Sequence, residues 1–239
     1  MATAYSCRMN LSILSPVIAI LVMSISFEMH AQDHGGEVRG KITVSAADEI
    51  TNELFTGRTL AHYKMHIHDT SDPPPPYRLS EISVVYIESV PHTSEPQNAS
   101  SAHPQLNQSQ MLFRPLLLPV LVGTTVSFPN NDDLFHNVFS YSQPMEFDLG
   151  RYPRGQTRYV RFDKPGVVKV YCDIHSYMYA TILVLDNPFF AVPDDDGNFV
   201  IKNIPAGTYK IVFWYGRKKS GTKIVTVEDG KISTVNFEN

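Results

Sequence analysis

Cysteine is scarce in this sequence, with two among 239 residues, and no apolar run after Phe27 approaches the roughly 20 residues that a membrane-spanning helix needs. A basic face is missing as well. The one basic cluster, Arg217 to Lys219, is short and falls where a turn is expected, and the formal net charge is −4. Nucleic acid is therefore not an expected partner, because phosphate backbones call for clustered Lys and Arg. Helical periodicity is almost absent, and the single helical candidate is Asp48–Tyr63.

What is present begins with a leader. Arg8 precedes a mostly apolar run from Leu11 to Phe27, broken by Ser12, Ser15, Pro16, Ser24 and Ser26, and Ala31 supplies a small residue before polar QDHGGE. Residues 1–31 read as a signal peptide cleaved after Ala31, which implies a periplasmic or secreted protein with no stable membrane span after cleavage. Cys7 leaves with that leader. Cys172 is then a lone cysteine in a compartment where cysteines usually pair, so it needs another explanation: inert thiol, intermolecular disulfide, nucleophile or metal ligand.

The rest of the chain is rich in short Val, Ile, Tyr and Phe segments separated by Gly, Pro, Asn and Asp, which predicts an all-β fold of sandwiches or open barrels. Two low-complexity stretches interrupt it: DTSDPPPPY at 69–77, a stiff extended connector, and 91–110, whose apolar content is too low to pack. From this punctuation the expected organisation is an N-terminal strand and Pro-rich linker over 32–80, a central domain over 81–186 and a β module over 187–239.

The chemistry concentrates in GVVKVYCDIHSYMYATILVLD, where CxxHxxM sits between two strongly β-forming runs. Upstream, VGTTVSFPNNDDLFHNVFS offers His136 at a strand turn. His136, Cys172, His175 and Met178 together give two imidazoles, a thiolate and a thioether, the ligand set of a type 1 copper site with a weak axial Met. Thiolate suits Cu(II), thioether suits Cu(I), and imidazole suits both. Such a set serves outer-sphere electron transfer and leaves no position open for a substrate, so no enzymatic activity is expected. Met145 is an alternative thioether. Zinc would need a further N, O or thiolate donor, for which Asp173 would have to turn inward. A dinuclear thiolate-bridged centre would need a second cysteine, and a multicopper oxidase would need further His clusters. Nucleophilic catalysis by Cys172 with His175 lacks any companion oxyanion site.

These motifs resemble the cupredoxin family, chiefly plastocyanin, pseudoazurin and amicyanin, over roughly 81–186. FRPLLLPVLVGTTVSFPNND matches its FxPxxxxVxxGxxVxFxN approach to the first ligand, and the tight CxxHxxM loop looks most like that of amicyanin. The resemblance implies a Greek-key β-sandwich holding one type 1 copper. It also implies that Asn137 ties its strand to the ligand loop; a one-electron carrier would in addition bring the edge of His175 to the surface within an apolar patch, for which Phe135, Pro144, Met145 and Tyr177 are the candidates. DDDGNFVIKNIPAGTYKIVFW resembles a carboxypeptidase-regulatory-like or transthyretin-like β-sandwich module, and the cupredoxin-plus-module order resembles exported proteins of the methylamine-utilisation or plastocyanin-like kind. Such modules open with GxVxGxV, and GEVRGKITV occurs at 36–44; this segment could pair with the C-terminal module, begin the cupredoxin sheet or extend freely. The functions to separate are one-electron transfer to a redox or envelope protein partner, and copper carriage or structural interaction in the envelope without redox turnover. His62, His66 and His68 would form either a second metal site or a solvated loop.

Overall fold

A computed structural model describes residues 35–44, 76–91 and 103–239. The leader, the helical candidate Asp48–Tyr63, His62, His66, His68 and most of the Pro-rich stretch lie outside the described residues. In chain order the elements begin with β1 (Gly36–Thr43), a one-turn helix α1 (Leu79–Ile82), β2 (Ser83–Ile87), β3 (Asn107–Ser109), β4 (Leu112–Arg114), β5 (Leu117–Leu121) and β6 (Thr124–Pro129). They continue with β7 (His136–Ser142), β8 (Met145–Tyr152), β9 (Thr157–Phe162), β10 (Gly166–Tyr171) and β11 (Tyr179–Leu185). The last are β12 (Phe190–Ala191), β13 (Asn198–Ile204), β14 (Gly207–Tyr215), β15 (Lys218–Val227), β16 (Ile232–Thr234) and β17 (Phe237–Glu238).

The central domain is a sandwich. One sheet runs β5-β11-β10-β7-β8, and the facing layer is the β6–β9 pair. Phe147 of β8 bridges them, its ring lying 5.9 Å from Phe128 and 6.2 Å from Phe162. Strand β8 was not expected from the sequence. Its inward Met145, Phe147 and Leu149 alternate with Glu146, Asp148 and Gly150, a period-2 pattern hidden by the neighbouring Gly and Pro.

The end of the 91–110 stretch packs, contrary to its composition. Leu106 and Gln108 are fully buried. Leu106 donates its N–H to Ser127 O at 2.9 Å, and the Gln108 amide donates to Tyr152 Oη at 2.6 Å. One leucine and one amide whose N–H₂ is bonded to Tyr152 Oη and Pro129 O seat a three-residue edge strand. Low apolar content misleads here because polar side chains with internal partners can also be buried.

The N-terminal strand joins the C-terminal segment. β1 pairs antiparallel with β13 and parallel with β16 and β17. Its glycines alternate with buried Val38 and Ile42, and a Cβ on Gly40 would lie 1.7 Å from the Val235 carbonyl oxygen. Only glycine permits that approach. A second sheet, β12-β2-β14-β15, covers β1: Val85, Ile87, Ile211 and Phe213 face it, with Phe213 and Phe237 rings 5.4 Å apart. The opposite face of this sheet, through Val84, Tyr86, Val212 and Trp214, meets Leu117, Leu183 and Leu185 of the central domain. Strand β11 is therefore buried at every position: Ala180, Ile182 and Val184 point into its own sandwich, and Leu183 and Leu185 point into the neighbouring one. Continuous apolar sequence is what two buried faces require.

Candidate metal centre

Strands β10 and β11 form a hairpin closed by the pair Tyr171↔Tyr179, leaving Cys172 to Met178 as its loop. Within the loop Met178 donates its N–H to His175 O at 2.9 Å, a turn that folds the loop back between those two residues. His136 starts β7, which pairs with β10 through Phe139↔Tyr171 and so lies beside the loop. The ligand atoms of His136, Cys172 and His175 lie within 4.8 Å of one another, and all three residues are buried. The two Nδ1 atoms are 3.0 Å apart, and Cys172 Sγ is 3.9 Å from His175 Nδ1. Metal–nitrogen and metal–sulfur bonds run roughly 2.0–2.3 Å, so three atoms this close can share one ion. Met178 is fully buried at the end of the same loop.

The electrostatics favour a thiolate. Burial pushes the Cys172 thiol up, but hydrogen bonds from the His136 and His175 side chains, and from the backbone N–H groups of Asn137 and His175, outweigh it and bring it down to about 6. Burial alone would disfavour a charged His136; the Asp132 carboxylate and the Cys172 sulfur override that and raise it. Asn137 thus ties its strand to the ligand loop through its backbone N–H, whereas its buried side-chain Oδ1 has no hydrogen-bond partner among the described residues.

Three expectations need correction. His175 retains only 3% exposure, so no more than a sliver of its edge meets the surface. Met145 pairs with Ser142 at the hairpin end of β7, whereas His136 lies at the other end. Six strand steps, about 20 Å, separate the two, which removes Met145 as a substitute ligand and takes Pro144 and Met145 out of the apolar patch. Tyr177 is buried, which leaves Phe135, 56% exposed, with its neighbour Leu134 as the open apolar surface beside His136. Asp173 points away from the centre, its carboxylate held by Arg151 at 3.0 Å. The residue that sequence reasoning overlooked is Asp132. Its carboxylate lies 2.9 Å from His136 Nε2, and its placement four residues before a candidate ligand was the available signal.

A β-sandwich that gathers two imidazoles and a thiolate at one end defines a cupredoxin-like domain. Residues 101–185 match the family described as copper binding proteins, plastocyanin/azurin family, and that segment contains all four candidate donors. This segment is similar to that family.

Among solved structures, the copper-containing nitrite reductase from Thermus scotoductus SA-01 is 26% identical over 42% of this chain, with a TM-score of 0.35; the match spans only 25% of that enzyme. A purple cupredoxin from Nitrosopumilus maritimus is 26% identical over 34% of this chain and 99% of its own length, with a TM-score of 0.31. An amicyanin variant in the Cu(I) state is 19% identical over 37% of this chain and 87% of its own, with a TM-score of 0.34. No curated protein matches the sequence.

Proposed function

We propose that the protein is an exported carrier of one type 1 copper ion that transfers single electrons and catalyses no reaction of its own. His136, Cys172 and His175 would hold the metal, with Met178 as the weak axial neighbour. The observation that carries this reading is the convergence of three buried donor atoms within 4.8 Å of one another, one of them the Cys172 sulfur, 3.9 Å from His175 Nδ1. Copper would supply the redox couple; the protein's part is to fix the donors before metal arrives and to exclude water. A zinc centre is disfavoured by Asp173, which is bound outward to Arg151 and gives no fourth hard donor. Burial of every donor favours retention and electron exchange over delivery of the metal to another protein. Leu134 and Phe135 provide the exposed apolar contact for a redox partner, and the C-terminal strands serve as a carboxypeptidase-regulatory-like module that fixes the domain within the envelope.

The test is copper loading of the protein beside Cys172→Ser. Wild type should take up one copper and show an intense thiolate-to-copper absorption that bleaches with reductant and returns with oxidant, and the serine variant should lack it. Colourless Cu(II) protein, or colour that does not cycle, would overturn the reading.

A further inference from the structure

The loop before His136 reads NNDD, and its two aspartates behave differently. Asp133 is 82% exposed at its side chain and pairs with Arg154. Asp132 turns inward, where three N–H donors converge on its carboxylate. Gln110 N–H reaches Oδ1 at 2.6 Å, Met111 N–H reaches Oδ2 at 2.8 Å, and His136 Nε2 reaches Oδ2 at 2.9 Å. Asn130 presets this turn, its Oδ1 accepting the Asp132 N–H at 2.9 Å while its amide donates to Leu134 O and Tyr152 O.

Gln110 and Met111 form the tip of the β3–β4 hairpin, and both have positive φ, 54° and 53°. A tight turn with two such residues ordinarily asks for Asn or Gly. Here the carboxylate accepts both amides and so helps hold an unfavourable turn in place. Met111 also reaches the other ligand segment, since its Sδ accepts the Tyr177 hydroxyl at 3.4 Å, and the Tyr177 ring lies 5.8 Å from that of His175.

From these contacts we infer that Asp132 is the positioning residue of the centre, fixing the tautomer and orientation of His136 and anchoring both to the tip of the β3–β4 hairpin. The inference rests on the reading of His136 as a copper ligand. An ionised carboxylate can only accept, so Nε2 must carry a hydrogen, and the lone pair for a metal is left to Nδ1, which faces His175 Nδ1 at 3.0 Å and gives up any proton of its own when a metal binds. A charged acceptor on the far nitrogen also makes the imidazole a stronger donor. The hairpin thereby braces both sides of the centre: Asp132 on the His136 side, and Met111 against Tyr177 on the loop side.

Asp132→Asn tests this, because it keeps the size but presents an amide N–H₂ to at least one of three donors. In metal-free wild type, heteronuclear NMR should find His136 in the Nε2–H form and slow amide exchange at Gln110 and Met111. The variant should lose protection at both amides and mix the two tautomers of His136. Its copper affinity should fall roughly 10- to 100-fold, with a shifted absorption band and reduction potential. The same substitution in a Gln110→Gly background, where glycine relieves one positive φ, keeps the measurement open if the single variant does not fold. A variant that keeps both the tautomer and wild-type copper affinity would overturn the inference. If wild type takes no copper, yet the tautomer still depends on Asp132, the copper reading fails and the positioning role stands.

Discussion

Strands β8 and β11 lie in one sheet but obey opposite rules. Along β8, inward Met145, Phe147 and Leu149 alternate with exposed Glu146, Asp148 and Gly150, as expected of a strand with one wet face. Along β11 every residue is buried, because Leu183 and Leu185 enter the cluster shared with Val84, Tyr86, Val212 and Trp214. The difference shows where the second sandwich sits: it covers the β5–β11 side of the central domain and leaves the β8 edge open. The Cys172–Met178 loop stands at the end of β11, so the metal loop is anchored on the drier side of the sheet.

The largest test of this contrast is Leu183→Ala. It opens a cavity between the two sandwiches and should cost about 2–5 kcal/mol in denaturant unfolding, while leaving the copper absorption band unchanged, since Leu183 points away from the donors. A loss of colour equal to that of Cys172→Ser would mean that the covering sheet shapes the site directly.

A smaller effect is expected at Tyr86, in the same cluster. Burial, with the nearby Glu88 charge, pushes its phenol up to about 12 from an ordinary value of 10.0. The fold therefore favours neutral Tyr86: its contribution is intact below pH 10 and is lost as pH rises toward 12, amounting to about 2 kcal/mol. Urea titrations at increasing pH should show that Tyr86→Phe lacks this part of the alkaline loss. Identical pH profiles would mean that the cluster opens to water before the phenol ionises.

On the wet side, Arg151 of β8 holds Asp173 at the surface, with side chains 62% and 36% exposed. Arg151→Ala should change stability by less than about 1 kcal/mol, since exposed ion pairs are worth little. The copper band should stay in place. A large shift would show that Asp173 turns inward once released.

How much of this was legible beforehand depends on how local the signal is. CxxHxxM between two β-forming runs announced Cys172, His175 and Met178, because a short loop brings them together whatever surrounds it. His136 needed only the strand pattern ahead of it. Met145 misled because its chemistry is right and only the β7–β8 register shows that it lies at the wrong end. Asp132 stayed hidden because a carboxylate in NNDD reads as a solvated loop until the β3–β4 tip arrives from elsewhere in the chain. The Ile82–Glu88 run was readable as a strand, yet SVVYI carries no mark of its neighbour; its pairing with β14 is set by burial on both faces.

Glycine at position 40 lets β1 press against Val235 and pair with β13, strands that lie on either side of the whole central domain in sequence. Such a contact is slow to form in an unstructured chain, since the ends of a very long loop must meet before any pairing rewards them. A folded central domain would shorten the search. Once folded, it places Ile87 and Asn187 within a hydrogen bond of each other, the Asn187 amide donating to Ile87 O at 3.0 Å. Holding the two chain crossings between the sandwiches side by side in this way would shorten the loop that β1 and β13 must close.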